Sequence, residues 1–171
     1  MANSLFKPFN MEDGIFLNNY VLHKSSFKDF WKWRKESNKP QPISFPVVKN
    51  NPSYLKSNKS EKTITWVGHS TFLIQIDGIN VLTDPHFTKR ASPLSFMGPT
   101  RTTPPGLNMD DLPFIDLVLI SHNHYDHLDA KTIKLLLKKQ NINQPIFFVP
   151  LKLKETISKL GASNVIEHGW W

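Results

Sequence analysis

Residues 121–129 read Ser-His-Asn-His-Tyr-Asp-His-Leu-Asp, which places three of the chain's seven histidines and two aspartates in eight consecutive positions. Packing does not account for such density, because neighbouring imidazoles repel once protonated and this stretch offers few anions to offset them. Imidazole and carboxylate together suit zinc and other first-row divalent ions. Cysteine is absent, so any ion is held by nitrogen and oxygen alone. In an extended segment alternate side chains point the same way, so His122 and His124 are expected to grip one ion together. Asp126 and His127 follow as the chain turns and are expected to face a second. Two ions about 3.5 to 4 Å apart can share a water, bring its pKa toward neutrality and stabilise both oxygens of a displacement, which is hydrolytic chemistry.

A strand and a helix must position this cluster. Leu117, Val118, Leu119 and Ile120 are continuously apolar, which predicts a buried strand over 116–120 delivering Ser121 and the histidines at its carboxyl end. Residues 129–139 predict a helix with Ile133, Leu136 and Leu137 inward. Upstream, β-rich runs at 63–67, 71–76 and 79–82 surround Asp77-Gly78, a hairpin signal. A strand at 146–149, a helix near 152–160 and a strand at 164–167 follow. The alternation predicts an α/β domain with a largely parallel sheet.

The 171 residues are enough for one domain with a sizeable core, preceded by an arm. The arm, residues 1–62, holds 11 Lys and Arg against 5 Asp and Glu and contains five prolines, so it carries most of the net charge of +7. It reads as extended or looped chain interrupted by one helix, which Ser26 and Asp29 would cap. Phe27, Phe30, Trp31 and Arg34 share a face of that helix, suited to packing on the main domain or to a membrane interface. No apolar run approaches the roughly 18 to 20 residues that span a bilayer. The start has no basic segment leading into an apolar one, so the expected location is cytoplasmic, with peripheral membrane contact through the arm.

Several separated segments carry a family likeness in order: Trp66-Val67-Gly68-His69-Ser70-Thr71, Leu82-Thr83-Asp84-Pro85, Arg90-Ala91-Ser92-Pro93, Met97-Gly98-Pro99, residues 121–129 and Asn164-Val165-Ile166-Glu167. With its H-x-H-x-D-H motif between an apolar strand and a helix, the chain resembles the metallo-β-lactamase superfamily. Within it, the chain resembles the branch containing N-acylphosphatidylethanolamine-hydrolysing phospholipase D and its bacterial relatives. The likeness covers residues 63–171, with a fainter echo at Asn18-Asn19-Tyr20. It implies a four-layer αβ/βα sandwich with a dinuclear zinc site, hydrolysing a phosphodiester in a membrane lipid. It also implies that His122 and His124 bind the first zinc and Asp126 and His127 the second, with Asp126 orienting the bridging water as the catalytic group. The family draws its remaining ligands from the second half of the fold, which lies past Trp171. The expectation is therefore an amino-terminal half-site, inactive by itself, with one apolar sheet face left for a complementing chain or a second copy. Beyond the cluster, His168 is the only histidine of this sequence available as a substitute ligand.

Among the other candidates, His69 and Asp84 end strands, where they suit either hydrogen bonding behind a ligand imidazole or simple turn structure. His23 and His86 have no partner in sequence and read as loop residues. Gly98, Pro99 and Arg101 sit in a long loop suited to a substrate entrance, with Arg101 available for a phosphate. Alternatives within the fold are a sugar-phosphate lactonase and a processing nuclease, nucleic acid being the less favoured partner. Outside catalysis, the alternative is a module whose basic aromatic arm touches anionic membrane.

Overall fold

The computed structural model describes residues 11–12, 15–16, 26–37, 46, 48–94 and 96–169. His23, residues 18–20, Trp170 and Trp171 lie outside them. The chain divides into two compact units, Ser44–His168 and Met1–Ile43 with Gly169–Trp171. The smaller unit contains the antiparallel pair β1 (Met11–Glu12) and β2 (Ile15–Phe16) and the helix α1 (Phe27–Glu36). The expected capping box is present, since Ser26 accepts from the Asp29 amide and Asp29 accepts from the Ser26 amide. No residue of α1 is buried, and the rings of Phe27, Phe30 and Trp31 meet one another at tilted or edge-on angles.

The larger unit begins upstream of residue 63. A helix that the sequence reading passed over, α2 (Pro52–Ser57), has Asn51 as its cap, proline at its first turn and Leu55 buried in the core. Residues 44–62 thus belong with the domain, because Leu55 supplies core surface and its carbonyl accepts from the buried Gln75 side chain. The one-helix description of the arm is corrected accordingly.

Six strands form the sheet: β3 (Thr63–Gly68), β4 (Thr71–Ile76), β5 (Ile79–Thr83), β6 (Leu117–Leu119), β7 (Ile146–Pro150) and β8 (Val165–His168), in that spatial order. The first two ladders are antiparallel and the last three parallel. Asp77 and Gly78 make the β4–β5 hairpin with φ of 49° and 82°, the left-handed pair that a two-residue hairpin demands. The helices α3 (Ala130–Lys139) and α4 (Lys154–Lys159) alternate with the parallel strands, and Asp129 caps α3 by accepting from two of its amides. Between β5 and β6 runs a long irregular segment with one isolated bridge, Arg90 to Thr100, and a single 3-10 turn at Met109–Asp111.

Register explains which face is covered. Leu73, Leu82, Val118, Phe147 and Val165 are cross-strand neighbours in one row, and all are buried with Ile133, Leu136 and Leu137 of α3 and Ile157 of α4. The adjacent rows point the other way. Ile64, Ile74, Val81, Leu117 and Ile146 make one, and Trp66, Phe72, Thr83, Leu119, Phe148 and Ile166 make the next. On this second face Ile64 is 72% exposed and Trp66 54% exposed. The reading of 116–120 as a strand buried throughout is therefore corrected. Val118 and Ile120 are buried, whereas Leu119 is 37% exposed, because helices cover only one side of the sheet. The expected uncovered apolar face is a feature of this unit. No described helix is long and apolar enough to cross a membrane.

Candidate metal centre

The parallel pairing of β5 with β6 builds the site. It ends both strands at one edge, where the Asp84 amide donates to the Leu119 carbonyl at 2.8 Å. The Asp84 carboxylate, almost wholly buried, then accepts from the Ser121 amide at 2.7 Å and the Ser121 hydroxyl at 2.7 Å. It also lies 2.9 Å from His127 Nδ1. A carboxylate has no proton to share at neutral pH, so Nδ1 carries the hydrogen and the Nε2 lone pair of His127 is left for a ligand. Asp84 thus fixes the tautomer of His127.

On the other side of His127, its Nε2 lies 3.7 Å from Asp126 Oδ2, and His69 Nε2 lies 2.9 Å from that same oxygen. These three side chains offer donor atoms within 4.8 Å of one another, the one such group among the described residues. Two imidazole nitrogens and a carboxylate oxygen match the donor set of a first-row divalent ion, and three protein ligands leave a position open for water or substrate. The fit is therefore chemically sound. Sequence reasoning placed His69 behind the ligands or in a plain turn, and the structure puts it in the donor group. Its backbone carries the signal: His69 and Asp84 have positive φ, 52° and 35°, at the ends of β3 and β5. Such conformations in non-glycine residues are strained and cluster at functional sites. The Trp66 indole holds the His69 turn by donating to its carbonyl at 2.9 Å.

His122 and His124 stand apart from that triad, as a pair in which His122 Nε2 and His124 Nδ1 are 3.0 Å apart. The His122 and His127 rings are 4.0 Å apart between centroids, so the two groups are contiguous. His168, the candidate substitute ligand, is outside the triad and stacks on Phe148 at 5.4 Å. Asp126 is partly exposed. Burial pushes its carboxyl up, but its own backbone hydrogen bond, His127 and His69 outweigh that and hold it below the usual value.

Two members of the triad, His69 and Asp126, line a cleft of about 880 Å³. Val48, Ile64 and Trp66 give it an apolar wall, and His69, His124, Tyr125 and Asp126 give it a polar end. The loop read as a substrate entrance lines it through Pro99, Arg101 and Pro104. His86 lies in a loop but not at the surface: it is only 4% exposed, borders the cleft and contacts Arg101. Burial first, and then Arg101, hold its pKa below 6.5. The His122 pKa is lowered in the same direction, by burial and then by His127 and His124. Both groups are charged more readily in the unfolded chain. Their contribution to stability is complete above about pH 6.5 and is lost as pH falls through the folded values. Urea midpoints are expected to fall on acidification below that point, and His86→Gln is expected to flatten the fall. An equally steep fall in the variant would remove His86 from the account.

A half-covered α/β sheet that gathers imidazole and carboxylate donors at one edge, beside an open cleft, defines a metal-binding domain of the metallo-hydrolase type. The chain belongs to the metallo-β-lactamase superfamily: residues 63–168 match the beta-lactamase superfamily domain. It is 33% identical to an uncharacterized protein of Mycobacterium tuberculosis over 94% of this chain and 44% of that one. It is 43% identical to N-acyl-phosphatidylethanolamine-hydrolyzing phospholipase D 1 of Caenorhabditis elegans, over 62% of this chain and 31% of that one. With a metal-dependent hydrolase of Methanopyrus kandleri the identity is 40%, over 38% of this chain and 23% of that one. The chain spans less than half the length of these relatives.

Proposed function

We propose that this domain binds zinc through His69, Asp126 and His127, with His122 and His124 as the neighbouring donor pair. We further propose that it serves hydrolysis of a phosphodiester in an N-acylated phospholipid. The observation that carries the reading is that His69 and Asp126 of the donor triad line a cleft that Val48, Ile64 and Trp66 line as well. An ester with a charged head and hydrocarbon chains would find both surfaces there. Similarity to the Caenorhabditis elegans phospholipase supports the substrate class. Bound zinc would supply Lewis acidity toward the ester oxygens and acidify a water. The chain's own groups have distinct tasks. Asp84 keeps the His127 proton on Nδ1, and His127 and His69, which help hold the Asp126 carboxyl below its usual value, favour its ionised form, so that it can orient a water.

Elemental analysis of desalted protein, followed by turnover of N-acyl phosphatidylethanolamine with zinc restored, tests the proposal. Bound zinc that is lost in His69→Ala and in His127→Ala, together with release of phosphatidic acid, is the expected result. Zinc retained in both variants would refute the ligand set. Turnover of a lactone or an RNA instead of the lipid would move the same site to another substrate.

The same reading gives α1 a task at a membrane surface. Phe27, Phe30, Trp31 and Trp33 are all exposed, alongside Lys28, Lys32, Arg34 and Lys35. Aromatic rings favour the lipid interface, and basic side chains favour anionic headgroups. Pelleting with anionic vesicles is expected at low salt and is expected to weaken at high salt and in Trp31→Ala, Trp33→Ala protein. No dependence on lipid charge would exclude this contact.

A further inference from the structure

Arg101 is a half-buried cation whose hydrogen bonds go to uncharged groups. Its Nη2 donates to the His86 carbonyl and lies 2.9 Å from His86 Nδ1. Among the described residues no carboxylate lies within 4.0 Å of it. The Nε atom is buried without a partner, whereas Nη1 makes no hydrogen bond and is not sealed from solvent. Arg90 on the same loop is different, because the Gly98 carbonyl and the Thr100 hydroxyl occupy its Nη1.

The His86 contact fixes a proton. A guanidinium only donates, so His86 Nδ1 must accept, and the imidazole is neutral with its hydrogen on the buried Nε2. His86 therefore aims Arg101 without neutralising it. The Asp129 carboxylate acts on Arg101 from beyond 4.0 Å but makes no bond to it. A half-buried guanidinium with Nε and Nη1 unbonded at the wall of a cleft therefore still suits an anion from outside the protein.

The backbone makes room for that arrangement. Gly68, at the end of β3, has φ of 142°, and a Cβ built there would lie 2.7 Å from Arg101 Nη1. The open end of the guanidinium thus rests against the residue just before His69, whose imidazole touches Asp126. Arg101, His86, His69 and Asp126 all border one cleft.

We infer that Arg101, aimed by His86 and admitted by the missing side chain of Gly68, is the binding site for a phosphate oxyanion of the substrate. The free Nη1 suits one phosphate oxygen in a charge-assisted hydrogen bond, and the adjoining Ile64 and Trp66 suit an ester that carries hydrocarbon. This inference rests on the cleft being the substrate site of the proposed hydrolase.

Calorimetric titration of the chelator-treated, metal-free chain tests it, at about pH 8, where free imidazoles are neutral, and with ionic strength held by chloride. Inorganic phosphate and monomeric dihexanoyl phosphatidylethanolamine are the two probes. Both are expected to bind the wild type and to bind Arg101→Gln about tenfold or more weakly. Gly68→Ala should weaken them as well while leaving every charge in place, and Arg101→Lys should fall between. Circular dichroism checks folding. If Arg101→Gln does not fold, the Gly68→Ala and Arg101→Lys proteins decide. Tighter binding of the lipid than of phosphate assigns the site to a lipid headgroup, and equal binding assigns it to small phosphate esters. Wild-type affinity in both Arg101→Gln and Gly68→Ala overturns the inference, as does loss of binding in His127→Ala alone. Zinc-dependent hydrolysis without Arg101-dependent phosphate binding would sink this site and leave the proposed function standing. Arg101-dependent binding without hydrolysis would do the reverse.

Discussion

Asp84→Ala is expected to weaken metal binding by roughly 10- to 100-fold, the usual cost of losing a group that orients a ligand histidine. The substitution replaces no proposed ligand. It removes the oxygen 2.9 Å from His127 Nδ1, so the ring is free to move its proton to Nε2, the atom that faces Asp126. It also removes the acceptor of the Ser121 amide and hydroxyl, both of which donate to Asp84 at 2.7 Å. Hydrogen bonds to a charged group contribute about 1.5 to 3 kcal/mol each. Some of that cost is recovered if water enters, so a stability loss of about 2 to 4 kcal/mol is expected in the metal-free protein. Competition with a chromogenic chelator reads the affinity, and urea unfolding reads the stability. Asp84→Asn separates the two effects, since the amide keeps an acceptor for Ser121 but presents a different partner to His127. Zinc affinity equal to wild type in both variants would show that Asp84 serves the strand ends alone.

Phe147→Ala is expected to destabilise the larger unit by roughly 3 to 5 kcal/mol, the range for truncating a core phenylalanine. The ring is fully buried in the middle of the covered row, with Val118 and Val165 as its cross-strand neighbours. Ile133, Leu136 and Ile157 belong to the same cluster, so both helices lose packing surface together. A fall in Tm of roughly 10 °C or more corresponds to that loss in a unit of this size. Phe148→Ala is the matched control. Phe148 is next in sequence but faces the opposite side, against Leu119, Ile166 and the His168 ring. It should cost clearly less. Equal losses from the two substitutions would mean that both faces of the sheet are covered in solution.

Much of this architecture is legible from short stretches of chain. The α1 cap needs only Ser26 and Asp29, the hairpin needs only Asp77 and Gly78, and α3 is announced by Asp129 and the spacing of Ile133, Leu136 and Leu137. In each case the interacting groups lie within one turn, so propensity and spacing suffice. The same locality made α2 readable from Asn51 and Pro52. The surrounding run of prolines and polar residues masked it, and its stability comes from Leu55 and Gln75, twenty residues apart.

The sequence by itself determined that a cluster of histidines and aspartates follows a strand, that strands and helices alternate, and that this chain contributes no thiolate. Those properties reside in residue type and near-neighbour spacing. Only the tertiary structure decided which donors meet. His69 reaches Asp126 from 57 residues away, Asp84 reaches His127 from 43, and Arg101 settles on His86 beside Gly68. It also decided that Leu119 faces the open side of the sheet while Val118 faces the core. The physical reason is register. Parallel pairing of β5 with β6 aligns the strand ends that carry Asp84 and Ser121, and the pleat sends successive side chains to opposite faces. Neither relation exists until the strands have paired.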